Sequence, residues 1–255
     1  MPSIFHDQAI GLTLEVHKAS LDKYAEAPND LLRDAFFVLT HDSICIHRAI
    51  GTLVDSGWPA PGAALFRTLM DMNVSALALA NSAEPRLAAF RYFYSGLRRH
   101  SRDQRLPGDS RRQMFAQIRD RLRQLPEALR KQAVRVVKER DRPYWFAPEW
   151  PSPRALIQRF GSEDLAWVHM QVSAAAHGSF LGMRLYKENP DKISINPEER
   201  AGRRGLFLDF SSCRFLLELA RVRTIIEGLG TEAKIDALIA EIAGAAHAAP
   251  PFDAA

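Results

Sequence analysis

Apolar residues recur along this chain at spacings of three and four, and nowhere do they alternate with polar residues over the length of a strand, so the pattern predicts helices throughout. A first helix is expected over 6–24, where Ile10, Leu14, Val16, His17 and Leu21 give one broad apolar side. After Ala27-Pro28-Asn29, with Asn29 or Asp30 as cap, a second helix over 31–56 is apolar on most sides and therefore central; Gly57 closes it. Trp58 to Gly62 reads as a turn before a third helix over 63–81, apolar almost all round but broken by Arg67, Asp71 and Asn73. Further helices are expected over 84–102, 111–124 and 127–140, the second capped by Ser110 and the third started by Pro126.

Residues 142–153 carry four prolines among large aromatics and predict an extended, packed connection, followed by a short helix over 154–160. The segment 165–186 groups Ser173, Ala174, Ala175, Ala176 and Gly178 around His177, small residues that let a neighbouring helix come close. An irregular loop is expected over 187–205, lying across the bundle end, then helices over 206–228 and 231–242 and a frayed Ala- and Pro-rich tail at 243–255. The fold class this predicts is all-α: a multi-helix bundle, one domain over 1–242, with an irregular loop after the Ser-x-x-x-His helix.

Composition narrows the setting. No run of about 18 apolar residues is present, and the N-terminus carries acid and histidine where a signal peptide needs a basic start and an apolar core, so the expectation is no membrane span and a cytoplasmic address. The two cysteines, Cys45 and Cys213, are far apart and each lies in an apolar helical pattern, which predicts reduced, buried thiols rather than a disulfide or metal knuckle. No cofactor and no metal site are expected: Gly-x-Gly-x-x-Gly, the phosphate loop, Glu-x-x-His and His-Glu-x-x-His are all absent, and His41 with Cys45 at i, i+4 is a weak ligand pair.

Charge is uneven. Between 91 and 142 stand sixteen Lys and Arg against six Asp and Glu, while the whole chain is only +4, so the remainder is net acidic. Arg98, Arg99, Arg102, Arg111 and Arg112 interleave there with Tyr92, Tyr94 and Phe115, and guanidinium is the group best suited to forked phosphate contacts. RNA or another acidic partner is the expectation; solvated helix faces explain the same run without one. A second copy of the chain is the other candidate partner.

Two pairs carry the candidate chemistry. Arg67 and Asp71, at i and i+4 on an apolar helix, share one face, and a buried ion pair needs full hydrogen bonding to be tolerated. Ser173 and His177 also lie one turn apart. A helix interior offers serine neither a strained exposed position nor an oxyanion hole, which argues against hydrolase chemistry, but His177 can still act as general acid or base. The bland alternative makes Arg67 and Asp71 a register-fixing pair and His177 a satisfied core histidine. His169, Trp167 and Trp145 can line a pocket or only a core.

Ala64-Leu65-Phe66-Arg67-Thr68-Leu69-Met70-Asp71 and Ser173-Ala174-Ala175-Ala176-His177-Gly178 together resemble an uncharacterised bacterial and archaeal helical family, domain of unknown function 5677, in its Arg-x-x-x-acid and Ser-x-x-x-His helices. The resemblance runs over about residues 30–186, with Asp71 where that family is expected to have glutamate. It implies a helical bundle with an Arg-plus-His core, loosely like the HEPN ribonucleases, whose signature is Arg-x4-6-His; Gln171 and Val172 stand at the positions six and five before His177, so Arg67 would have to be supplied across space. The functional expectation is a HEPN-like, metal-independent RNA-cleaving or RNA-binding protein of defence or toxin type. In that reading Arg67 stabilises phosphate, Asp71 orients, His177 moves the proton and Ser173 assists. The alternative is a non-enzymatic helical interaction or small-ligand-binding protein with a buried Arg/Asp/His network.

Overall fold

Asp30 starts the central helix by accepting the backbone N–H groups of Leu32 and Arg33 at 2.9 and 3.4 Å, satisfying donors that the first turn leaves without a helical partner. The computed structural model describes residues 3–26, 30–57, 59–101, 107–138, 153–160, 168–170, 173, 187–189, 192–193 and 197–248. They form an all-α multi-helix bundle: α1 (Ile4–Glu26), α2 (Leu31–Asp55), α3 (Pro59–Ala80), α4 (Pro85–Ser101), α5 (Gly108–Gln124), α6 (Glu127–Lys138), α7 (Pro153–Phe160), α8 (Pro197–Glu227) and α9 (Glu232–Ala248). Between α7 and α8 lie helical residues at 168–170 and 173, and a short antiparallel ribbon pairs β1 (Lys187–Asn189) with β2 (Lys192–Ile193).

Helix α2 buries Leu31, Ala35, Phe36, Leu39, Ile44, Ile50 and Val54 on a stripe that meets neighbours on several sides. Toward α4, α5 and α6 it enters a cluster with Leu79, Leu87, Phe90, Tyr94, Ile118 and Leu125. Toward α3 and α8 it packs with Phe66, Leu69, Met70 and Leu208. Toward α1 and α9 the contacts run through Ile10, Val16, Leu216, Leu217, Ile235 and Ile242. Helices α2, α3 and α8 thus share the middle, and α1 and α9 pack on α8. Helix α3 over Pro61–Ala80 is the described segment long and apolar enough to cross a membrane by length and composition, yet it carries Arg67, Asp71 and Asn73 and packs between α2 and α8.

Several boundaries differ from the sequence expectation, each for a local reason. The expected turn at 58–62 is helix from Pro59, because prolines at 59 and 61 occupy a first turn whose N–H groups bond to nothing in the helix. Ser110 is not a cap: α5 begins two residues earlier at Gly108, behind Pro107, without a side-chain cap bond. The expected loop over 187–205 holds a ribbon too short to leave an alternating pattern, then the first turns of α8 from Pro197. The last helix runs on to Ala248 through alanines that continue it readily, past the expected end at Ile242. Cys45 is exposed on α2 rather than buried, while Cys213 is buried as expected. The 142–152 connection and the 249–255 tail lie outside the described residues.

Candidate functional site

Asp71 sits on α3 where the helix turns a half-exposed face outward. Its Oδ2 lies 3.9 Å from Arg67 Nε one turn earlier, and its Oδ1 lies 3.2 Å from His169 Nε2. Helix α3 is held there by Asn73, which donates to the Phe215 carbonyl of α8 at 3.3 Å, and by the burial of Phe66, Leu69 and Met70 around it. His169 is brought across because its neighbour Val168 packs into that same cluster. The side chains of Arg67, Asp71 and His169 are 27%, 31% and 14% exposed, so the trio is neither sealed under apolar packing nor fully in solvent.

Ser173 lies four residues beyond His169 in sequence, and its hydroxyl is buried with no hydrogen-bond partner among the described residues. His177 lies outside the described residues. The sequence assigned Asp71 the task of orienting a histidine; the histidine it meets is His169, which the sequence offered only as a pocket-lining residue. Chemically, a carboxylate bonded to one imidazole nitrogen fixes the tautomer and leaves the other nitrogen for proton transfer, and the guanidinium supplies positive charge beside it.

Of the arginines expected on nucleic acid, Arg98 and Arg99 fall in the last turn of α4 and Arg102 lies outside the described residues. Arg111 is half-buried; Arg112 is exposed, 3.8 Å from the carboxylate of Asp109. Elsewhere in the basic block much of the charge is engaged. Arg121 pairs with Asp34 and lies over the Phe93 ring at 4.4 Å, Arg123 pairs with Asp120 at 3.1 Å, and Arg130 donates to the carbonyls of Leu125 and Arg123.

A second group of reactive side chains, which the sequence reading did not assemble, joins α1, α2 and α8. His6, His47 and Cys213 place one ligand atom each within 4.8 Å of one another, all three buried. The His6 and His47 rings stack with centroids 4.0 Å apart and an interplanar angle of 22°. His6 Nδ1 is bonded to Asp209 Oδ1 at 2.9 Å, and His47 Nδ1 to Ser212 Oγ at 2.9 Å. The Ser212 hydroxyl itself donates to the Asp209 carbonyl at 2.9 Å, so toward His47 its oxygen accepts. Cys213 Sγ lies 3.9 Å from His47 Nε2.

Burial, then the nearby His6, pushes His47 down to about 3, and the ring stays neutral. Burial, then Asp209, pushes the Cys213 thiol up. Burial alone would raise the Asp209 carboxyl, but hydrogen bonds from His6 and from Ser3 outweigh it and hold the group below its ordinary value. The weak His41–Cys45 pair is elsewhere: both residues are exposed, and His41 Nδ1 lies 3.1 Å from Asp42. No family model, no curated protein and no solved structure matches this chain, so both groups are read from their own geometry.

Proposed function

We propose that the chain is a HEPN-like, metal-independent protein that binds or cleaves RNA, with Arg67, Asp71 and His169 as its working group and the arginine-rich helices α4 to α6 as backbone contacts. The observation that carries this reading is the Asp71 carboxylate, which reaches His169 and lies beside Arg67 on a half-exposed face. Asp71 bonded to Nε2 leaves His169 Nδ1 to take the proton of a ribose 2′-hydroxyl. The 2′-oxygen then bonds to phosphorus, the bond from phosphorus to the 5′-oxygen breaks, and the imidazolium returns a proton to that leaving oxygen. Arg67 offsets the charge that builds on the phosphate. The Ser173 hydroxyl, buried and without a partner among the described residues, supplies a further contact for a bound group. A defence or toxin role rests on the family resemblance alone.

The test is incubation of mixed RNA in EDTA with the parent protein and with His169→Gln, Arg67→Gln and His177→Ala, folding being followed by circular dichroism. Cleavage that falls about 10²- to 10⁴-fold in His169→Gln is the size expected when a general base is removed. Equal cleavage by parent and His169→Gln, with loss in His177→Ala, would move the proton-transfer role to His177. Absence of both cleavage and binding by the folded parent sinks the reading.

A non-enzymatic interaction or small-ligand protein is the second reading. It is favoured by the arginines already committed to acids and carbonyls, Arg121 on Asp34 and Arg130 on Leu125 and Arg123, which leave less charge for a nucleic-acid backbone than the composition promises. RNA binding that is absent at moderate salt while the fold is intact would select it.

A further inference from the structure

We infer that His6, His47 and Cys213 form a site for a zinc-type divalent transition ion that fastens the start of α1 to α2 and α8. Hydrogen bonding fixes both tautomers toward it. His6 donates its Nδ1–H to the Asp209 carboxylate, and His47 donates its Nδ1–H to a serine oxygen whose own proton goes to the Asp209 carbonyl. Each ring therefore keeps a lone pair on Nε2. A metal-binding histidine is held in this way, its second nitrogen donating to a carboxylate or other acceptor behind it.

An all-protein network does not account for the group. The Cys213 thiol can donate to only one acceptor, His47 Nε2 at 3.9 Å, and among the described residues His6 Nε2 has no donor. Two imidazole lone pairs and a thiol collected in a buried space are better matched to a cation than to one another. The backbone is shaped to allow the arrangement: a Cβ at position 51 would lie 2.3 Å from His6 Cε1 and 2.6 Å from Nε2, so glycine one turn after His47 is what lets the His6 ring lie against α2.

The donor set selects the ion. Two imidazoles and a thiolate suit zinc and exclude calcium and magnesium, which need oxygen ligands. Zn–N and Zn–S bonds of about 2.0–2.1 and 2.3 Å in tetrahedral array separate ligand atoms by about 3.4–3.6 Å. The group is spread over no more than 4.8 Å, so binding would draw the three atoms closer and splay the stacked rings from their 22° angle. The fourth position falls to water or to a shift of Asp209. On binding, the Cys213 sulfur bonds the ion and its proton leaves to solvent, so uptake releases one proton per ion.

The experiment is titration of the full-length, reduced protein with Co²⁺ and then Zn²⁺, following absorption and proton release. Expected are one equivalent bound, a thiolate-to-cobalt charge-transfer band with strong tetrahedral d–d bands, displacement by Zn²⁺, and a rise in Tm with zinc but not with Mg²⁺. Cys213→Ser should abolish the charge-transfer band, and Cys45→Ser and His41→Gln should leave it unchanged. Asp209→Asn, at the carboxylate that holds His6 and the Ser3 N–H, should weaken affinity about 10- to 100-fold, and His6→Gln should weaken it further. If Cys213→Ser does not fold, His6→Gln decides: affinity equal to the parent's overturns the site. A parent that shows no charge-transfer band, or a band lost in Cys45→Ser instead, overturns it as well. None of these outcomes depends on RNA cleavage, so the two proposals fail separately.

Discussion

At the scale of single residues, the costliest placement is Arg223, a guanidinium 1% exposed in the middle of the bundle. It is tolerated because its nitrogens are answered: Nε donates to Glu227 at 3.0 Å, one terminal nitrogen to Ser20, and the other to His17 Nδ1 at 2.9 Å. Removing one partner leaves the other charge buried alone. Glu227→Gln is therefore expected to destabilise the protein by about 3–5 kcal/mol, whereas the double replacement Arg223→Met with Glu227→Leu should leave stability near or above the parent. Urea unfolding of the two variants checks this, and a Glu227→Gln midpoint close to the parent's would refute it. Arg223 and Glu227 stand one turn apart on α8, but the part of the network that crosses to α1 was not legible in the sequence. His17 read as part of an apolar stripe, and its partner Arg223 lies 206 residues away. The His6, His47 and Cys213 group was hidden for the same reason, since His47 and Cys213 are separated by 166 residues and short-range ligand spacing cannot reveal them. By contrast, Arg67 and Asp71 were legible as a pair, because their partnership is local to one helix face.

At the scale of elements, glycine is where sequence reading and packing part company. Gly57, with φ 76°, terminates α2 as a glycine beyond a helix end is expected to do. Gly205 was expected as the last residue of the loop before the helix over 206–228, yet it lies inside α8, buried, at the place where that helix meets α2. A Cβ there would lie 2.9 Å from Val54 Cγ1, on a stiff β-branched side chain. The residue is glycine for closeness rather than for a turn, and only the partner helix reveals which. Gly205→Leu is expected to cost about 1–3 kcal/mol through overpacking. Gly205→Ala should come out near neutral, because about 1 kcal/mol of helix propensity offsets the strain on Val54. Thermal unfolding of both variants separates the two effects; if leucine is tolerated as well as alanine, α8 does not approach α2 as described. Helices α2 and α4 were predictable within a residue or two because long apolar stripes dominate them, and α6 because Pro126 marks its start. The starts of α3, α5 and α8 were not, since each begins at or just behind a proline that also reads as a turn.

At the scale of the whole molecule, the arrangement of α1 against α8 makes stability depend on pH through His17. Its Nδ1 accepts a hydrogen bond from the Arg223 guanidinium, so the ring is neutral with its proton on Nε2. Burial first, then the positive charge of Arg223, then His41, lower it from 6.5 to about 4, with Glu227 acting the other way. Above about pH 6.5 the ring is neutral in folded and unfolded chains alike, and its contribution is fully present. As pH falls from there toward 4, the unfolded chain binds a proton that the folded chain refuses, so stability is lost across that window. Glutamine at the same position can accept from Arg223 through its side-chain oxygen but does not titrate. His17→Gln should therefore lose less stability than the parent between about pH 7 and pH 5, measured as the shift in urea midpoint. An equal loss in both proteins would assign the acid sensitivity to other groups and would mean that the guanidinium does not hold His17 neutral. Because His17 and Arg223 bridge α1 and α8, the first consequence of acid should be loosening between those two helices. Amide exchange along α1 should then rise with acidification in the parent and less in His17→Gln.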